Sequence, residues 1–412
     1  MKKTVALLAA VLMVCTLFIG CAGGEAAGEA AGKNDNVKIG VILVHDENIG
    51  YDEAHINGVR TALKNVGFSE DQVVWKYNIP EDETCYDTAT DLVEQGCKYV
   101  FSDSYGHQTY MQQAAIENPD VVFAAMTGDL AGLSNLKNYK NAFPHTFESR
   151  YVSGVVAGLK LQELVESGVL TDANKDENGA WKIGYVGAFP YAEVVSGFTA
   201  FFLGVRSIVE NVSMDVTYTN DWADPIAEAE GANALMSRGC VIISQHADST
   251  AAPAACEAAL AAGTNVYCVG YNVDMLSVAP RAALTSAQND WSVYYTYAFN
   301  CIKNGEELAT DWSEGYATGA NMISKLGESC PAGTAEKVAE VEAGIKAGTL
   351  NVFDCSTFTV GGETITSFLA LDTDGDWAGD TGEAVENGVF YESKLRCAPY
   401  FSLIIDGVNP LN

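Results

Sequence analysis

The chain has 412 residues, 48% of them apolar and 19% charged, with 54 Asp and Glu against 23 Lys and Arg. At about 100–200 residues per domain it holds two or three domains, and its ordinary apolar fraction excludes a disordered, collagenous or low-complexity chain for its bulk. A formal net charge of −31 repels phosphate backbones and anionic headgroups, which excludes nucleic-acid binding and polybasic attachment to membranes.

Lys2 and Lys3 followed by the apolar run from Val5 to Ile19 have the form of a signal peptide over residues 1–20, too short for a membrane span. Leu17-Phe18-Ile19-Gly20-Cys21 resembles a lipobox, so Cys21 is the expected lipidated N-terminus of an exported chain. Residues 21–36, rich in Ala and Gly, are then a flexible tether.

From Val37 the spacing of apolar residues predicts strands over 37–44, 73–77, 99–101 and 121–125, with helices over 51–66, 84–94 and 111–117 between them. An aromatic-rich crossover and helix follow over 143–164. A second copy of the rhythm begins at Lys182, with strands over 183–186, 214–218, 241–244 and 266–269 and helices over 193–209, 225–237 and 251–262. This pattern predicts an α/β fold of two doubly wound Rossmann-like lobes, the first over 37–150 with part of 285–325, the second over 151–284. From Asn351 the pattern changes to hairpins, with Gly361-Gly362 and Asp406-Gly407 as turn signals. Residues 326–412 are expected to form a β-rich C-terminal extension packed on a lobe.

Doubly wound sheets bind ligands beyond the carboxyl ends of their strands. The segments there carry His45 and Asp46, Ser104 and Tyr105, Thr127, Phe189, Trp222, Gln245, His246 and Asp248, and Tyr271, Asn272 and Asp274. Their convergence on one rim is what a cleft between two lobes requires. Rings beside such a cleft suit a planar heteroaromatic ligand, with Asp, Asn or Gln reading its polar edge; Phe189 and Trp291 are the expected platforms. No GxSxG, HExxH or Walker A segment occurs, and the five histidines, at 45, 55, 107, 145 and 246, show no metal-seating i, i+4 pair. His45 beside Asp46 lacks a nucleophile to serve, so neither catalysis nor a cofactor is expected.

Asp372-Thr373-Asp374-Gly375-Asp376 with Glu383 places oxygens at positions 1, 3, 5 and 12 of a calcium-type loop. Trp377 stands where the sharp turn wants Gly, so a solvated acidic turn is the expectation. Nine cysteines remain beyond Cys15 and Cys21. They cannot all pair and form no CxxC, and Cys240 and Cys268 fall in apolar runs as small buried hydrophobes do.

Three stretches carry a resemblance: Phe147-Glu148-Ser149-Arg150-Tyr151-Val152-Ser153-Gly154-Val155-Val156-Ala157-Gly158, Lys182-Ile183-Gly184-Tyr185-Val186-Gly187 and Gly270-Tyr271-Asn272-Val273-Asp274. Through them the chain, from about Val37 to Lys303, resembles the basic membrane lipoprotein family, also called purine nucleoside receptors, of ABC-transporter substrate-binding proteins. Glu193 to Gly197, Asp221 to Pro225, Gln245 to Ala252 and Trp291 to Tyr295 are similar to a subgroup associated with adenine-type ligands. The resemblance implies two lobes joined by a hinge (the type I periplasmic-binding-protein fold), a purine base or nucleoside as ligand, ABC permease and ATPase subunits as partners, and a monomer anchored by lipid outside the cell membrane. It adds Tyr51, His55 and Asn289 to the ligand-binding candidates. Thr127, Asn272 and Asn289 stand where nucleoside binders carry Asp, Asp and Lys, and the usual Phe-Asn pair near Tyr51 is absent. An Asn offers one acceptor and one donor group where a carboxylate offers a bidentate acceptor for ribose, so these substitutions favour a bare base. The alternatives are a sensor subunit of a signalling receptor and a purine-processing enzyme on the same fold.

Overall fold

The computed structural model describes residues 36–372 and 381–412. Cys21, the signal peptide and almost all of the tether lie outside them, as do Asp374 and Asp376. The first lobe runs β1 (Ile39–Ile42), α1 (Gly50–Val66), β2 (Val73–Lys76), α2 (Glu83–Glu94), β3 (Tyr99–Ser102), α3 (Gln108–Glu117), β4 (Val122–Met126) and β5 (Tyr139–Ala142). The strands β2-β1-β3-β4-β5 are all parallel and in that order. β1 is buried along its length, as a central strand covered on both faces must be.

The second lobe repeats this order. It runs α4 (Thr146–Glu166), β6 (Trp181–Gly187), α5 (Ala192–Arg206), β7 (Val212–Tyr218), α6 (Pro225–Ser237), β8 (Ile242–His246), α7 (Ala251–Ala261), β9 (Tyr267–Tyr271) and β10 (Ala283–Asn289), with the parallel order β7-β6-β8-β9-β10. Apolar layers flank both sheets. Helices α4 and α5 approach closely through two glycines: a Cβ on Gly154 would stand 2.1 Å from the Phe201 carbonyl oxygen, and one on Gly204 2.2 Å from that of Tyr151.

The chain changes lobes at the sheet edges. After β10 come α8 (Trp291–Asn304), which packs on α1, and β11 (Asp311–Trp312), which adds to the first sheet beside β5. β12 (Asn321–Ile323) then returns to the second sheet, antiparallel to β10. The expected boundary at 284/285 therefore cuts through a single strand of the second sheet. β10 escapes a periodicity search because its buried Thr285 and Ser286 are polar, the Thr285 hydroxyl donating to the Ser324 carbonyl and the Ser286 hydroxyl accepting from the Met275 N–H.

The tail contributes α9 (Thr334–Lys346), which packs on α4, a short hairpin of β13 (Val385–Glu386) and β14 (Val389–Phe390), and β15 (Val408–Pro410), which lies parallel to β7 at the sheet edge. Phe353, Phe358, Phe390, Tyr400 and Phe401 join the second-lobe core. Regular strand is sparse here, because turns held by side chains replace ladders: Asp406 accepts from the backbone N–H groups of Gly361 and Gly362. Glu383 is likewise engaged, accepting from Ser367 and the N–H groups of Phe368 and Val385. No group of metal-ligating side chains occurs among the described residues, and no helix among them is long and apolar enough to cross a membrane.

Candidate ligand-binding site

Parallel sheets of order 2-1-3-4-5 open a crevice where the strand order reverses. In the first lobe that point lies beyond β1 and β3. The backbone N–H of Val44 donates to Asp103 (3.2 Å) and that of His45 to Asp52 (2.6 Å). Asp52 sits fully buried in the first turn of α1, where the helix N-terminus favours a negative charge. Its other oxygen is 3.3 Å from His45 Nδ1 and holds the imidazole pKa above its ordinary value. Burial, then the neighbouring Asp52 charge, pushes the Asp103 carboxyl well above the usual range. Tyr51 donates to the Asp103 carbonyl at 2.5 Å, Ser104 donates to Glu81, and the Tyr105 hydroxyl lies 3.5 Å from Asp129. Thr127 ends β4 with φ 58°, its hydroxyl turned onto the Met126 carbonyl.

The facing wall comes from the ends of β6, β7, β8 and β9. Glu193, in the first turn of α5, stands 3.5 Å from His246 Nε2. Burial pushes its carboxyl up to about 7, against the pull of Arg150. Arg150 is itself fully buried; it donates to the Gln245 carbonyl (2.6 Å) and lies 3.8 Å from the Tyr271 ring centroid. Burial and then the Arg150 charge drive the His246 pKa well below its ordinary value, so this imidazole is neutral. Asp248 is buried, which raises its pKa well above the usual range, and accepts a 2.8 Å hydrogen bond from Asn272. On the rim Phe189 stacks on Tyr191 at 4.9 Å and meets Trp222 edge-on at 5.3 Å. Tyr191 in turn faces Tyr105 across the cleft at 6.2 Å.

Together the walls line a closed cleft between Val44, His45, Tyr51, Asp52, Ser104, Tyr105, Thr127, Glu193, Trp222, Asp248 and Tyr271, whose free cavity is only about 30 Å³; a small-molecule ligand needs several hundred, so the lobes must part to admit one. The lobes touch directly, the Gly50 N–H donating to the Asp248 carbonyl at 3.3 Å. The chemistry on offer is recognition. Rings stack, and carboxyl groups hydrogen-bond.

Eight of the expected contacts line this cavity: His45, Tyr51, Ser104, Tyr105, Thr127, Trp222, Asp248 and Tyr271. Phe189 stands behind Trp222 in the rim cluster. The others do not reach the cavity. Asp46 closes its own turn by accepting from the N–H and side chain of Asn48, and Asp274 caps a short helical turn by accepting from the Leu276 N–H. Gln245 spends its amide on the Ala247 and Ser249 carbonyls, and His246 lies beneath Glu193. Asn272 acts through Asp248. Asn289 is buried at the crossover between Thr146 and Asn321, so it takes no place at a ligand. Trp291 is 1% exposed and stacks on His55 at 4.0 Å inside the α1–α8 packing. It is no platform, because Asp290 caps α8 and turns the ring inward one residue later. Asp52, Glu193 and Arg150 were not singled out as contacts. All three lie on helices, Asp52 and Glu193 in the first turn of theirs and Arg150 just beyond the first turn of α4.

A family model described as ABC transporter substrate-binding protein, PnrA-like, matches residues 36–320. A protein of Brucella abortus named as a purine-binding protein is 27% identical over 338 residues, covering 82% of this chain and 89% of its own. A Haloferax volcanii protein named as an ABC transporter glucose-binding protein is 32% identical over 259 residues, 63% of this chain; the chain spans only 60% of that relative. Among solved structures, a solute-binding protein of an ABC transporter system from Aeropyrum pernix superposes with TM-score 0.61 at 14% identity, covering 76% of this chain and 92% of the other. One from Conexibacter woesei gives 0.59 at 18%, covering 76% and 98%. These likenesses show the two-lobed fold. The family model covers residues 36–320, most of the chain, and carries the role of a binder of a small molecule, not an enzyme, with transporter subunits as partners: the chain belongs to the PnrA-like, or Bmp, family of ABC transporter substrate-binding proteins.

Proposed function

We propose that this protein is lipid-anchored through Cys21 on the outer face of the cell membrane, captures a purine between its lobes, and delivers it to an ABC permease. The observation that carries the ligand class is the pairing of a ring-flanked cavity with three buried carboxyl groups, Asp52, Glu193 and Asp248. A purine presents flat faces to rings and a mixed edge of donors and acceptors, and carboxyl groups, with burial raising the pKa at Glu193 and Asp248, suit such an edge. The name of the Brucella relative agrees with this reading.

Of the two purine classes the bare base is favoured. Asn272 occupies one Asp248 oxygen, which leaves that carboxyl poorly placed to clamp a ribose diol. A buried polar group left unpaired by the wrong ligand costs about 1–3 kcal/mol. Calorimetric titration is expected to rank adenine above adenosine by about tenfold or more. Equal or tighter adenosine binding overturns the base preference, and tight glucose with no purine binding overturns the ligand class. Mass spectrometry of small molecules released from denatured protein tests both at once. Cys21→Ala is expected to move the protein from the membrane fraction to the medium; unchanged fractionation removes the anchor.

A further inference from the structure

The family match ends at residue 320, yet the chain returns to the ligand site long after that point. Cys397 and Ala398 belong to the first-lobe core, with Phe101 and Trp291, whereas Phe390, Tyr400 and Phe401 belong to the second-lobe core. Within about ten residues the tail therefore leaves one lobe, enters the other and comes back. Its attachments are polar and buried at both ends. On the first lobe the Cys397 N–H donates to Asp311 at 2.7 Å, and Arg396 stands 3.8 Å from Asp129, both side chains under 10% exposed. On the second lobe Glu392, 4% exposed, accepts from Ser196.

Two of these attachments, Arg396 to Asp129 and Glu392 to Ser196, lie close to residues that line the ligand cavity. Asp129 is the group beside the Tyr105 hydroxyl, and Tyr105 lines the cavity. Ser196 lies one turn beyond Glu193 on α5, and Glu193, Ser196, Glu392 and Pro399 share a small void beneath the hinge segment at Phe143 and Pro144. We propose that the segment from Glu392 to Phe401 is a clasp across the hinge whose Arg396 and Glu392 act as positioning residues, setting Tyr105 through Asp129 and Glu193 through Ser196. Removing the Arg396 charge weakens the buried pairing that holds Asp129 in place, so loosening the clasp frees the first-lobe wall and shifts the lobes toward an open arrangement. This rests on the cleft being the ligand site, and its test separates the two ideas.

Arg396→Gln and Glu392→Ala, made in the full chain, are titrated with adenine, and hydrogen exchange is followed in the first turn of α1, where the Gly50 amide bonds the Asp248 carbonyl across the cleft. Each variant is expected to lose about tenfold in affinity and to exchange faster at Gly50. In a Tyr105→Phe background, which lacks the hydroxyl facing Asp129, the Arg396→Gln loss is expected to shrink to about twofold, since coupled residues are not additive. Arg396→Lys keeps the charge and is expected to restore binding. Unchanged affinity with unchanged exchange, or losses that multiply fully with Tyr105→Phe, overturns the clasp. Should the parent protein not bind adenine, the ligand reading fails and the exchange rates alone decide the clasp. Should Arg396→Gln not fold, Glu392→Ala and Arg396→Lys decide it by the same two readouts, unchanged affinity and exchange in Glu392→Ala again being the overturning result.

Discussion

Two groups of rings flank the cleft, and they do opposite work. His55, Trp291 and Tyr295 form a buried stack between α1 and α8, with His55 accepting from or donating to the Tyr295 hydroxyl at 2.9 Å and its pKa driven well down by burial. Phe189, Tyr191 and Trp222 sit on loops at the opposite rim, with Tyr191 47% exposed. A ring placed one residue into a capped helix faces the core, while a ring in the loop after a strand faces the crevice. The first group is scaffold and the second is available to a ligand.

The sharpest break of this contrast is Trp291→Ala. It removes a fully buried indole and is expected to cost about 3–5 kcal/mol in denaturant unfolding; a loss under about 1 kcal/mol would place the ring outside the core. Gly58→Ala comes next, because its Cβ would stand 2.8 Å from Trp291 Cβ and 3.0 Å from the Ser292 nitrogen. Forcing α1 and α8 apart is expected to cost about 1–3 kcal/mol, readable as a lower unfolding midpoint. At the rim, Trp222→Ala and Phe189→Ala are expected to leave stability nearly unchanged while weakening purine binding about tenfold, or about 1.4 kcal/mol. If calorimetry finds affinity unchanged in both, the rim rings are not platforms.

The smallest effect sharpens the first-lobe wall. Asp52 raises the His45 pKa above 6.5, so the protonated imidazole is favoured in the folded chain. Its stabilisation is present in full below the unfolded pKa and is lost as pH rises through the folded one. The half-exposed ring limits this to less than about 1 kcal/mol. The stability difference between the parent and His45→Gln is therefore expected to be larger at pH 6 than at pH 8, and a difference that grows with pH contradicts the His45–Asp52 pairing.

The βα rhythm was legible wherever burial is apolar, as in β1 and β6. It was not legible in β5, whose Tyr139-Lys140-Asn141-Ala142 is wholly buried yet carries two polar side chains. There Asn141 donates to the Ala125 carbonyl and accepts from the Ala131 N–H, a satisfaction that no hydrophobic pattern displays. The strand-end loops were legible as a rim, since the α/β topology fixes where strands point. Which of their polar groups face inward was not, because Asp46 and Asp274 close local turns with the same residue types that Asp248 brings to the cavity. Glu193 and Asp52 escaped attention because a carboxylate in a helix's first turn is ordinary capping chemistry.

All nine cysteines among the described residues are free, eight of them buried. Burial raises the pKa of the Cys85 and Cys397 thiols well above the ordinary value, and the thiolate is the reactive species. Eight of these nine thiols are thereby shielded from an alkylating reagent in the folded molecule and reached when it opens, so the rate at which they are labelled becomes a clock for unfolding.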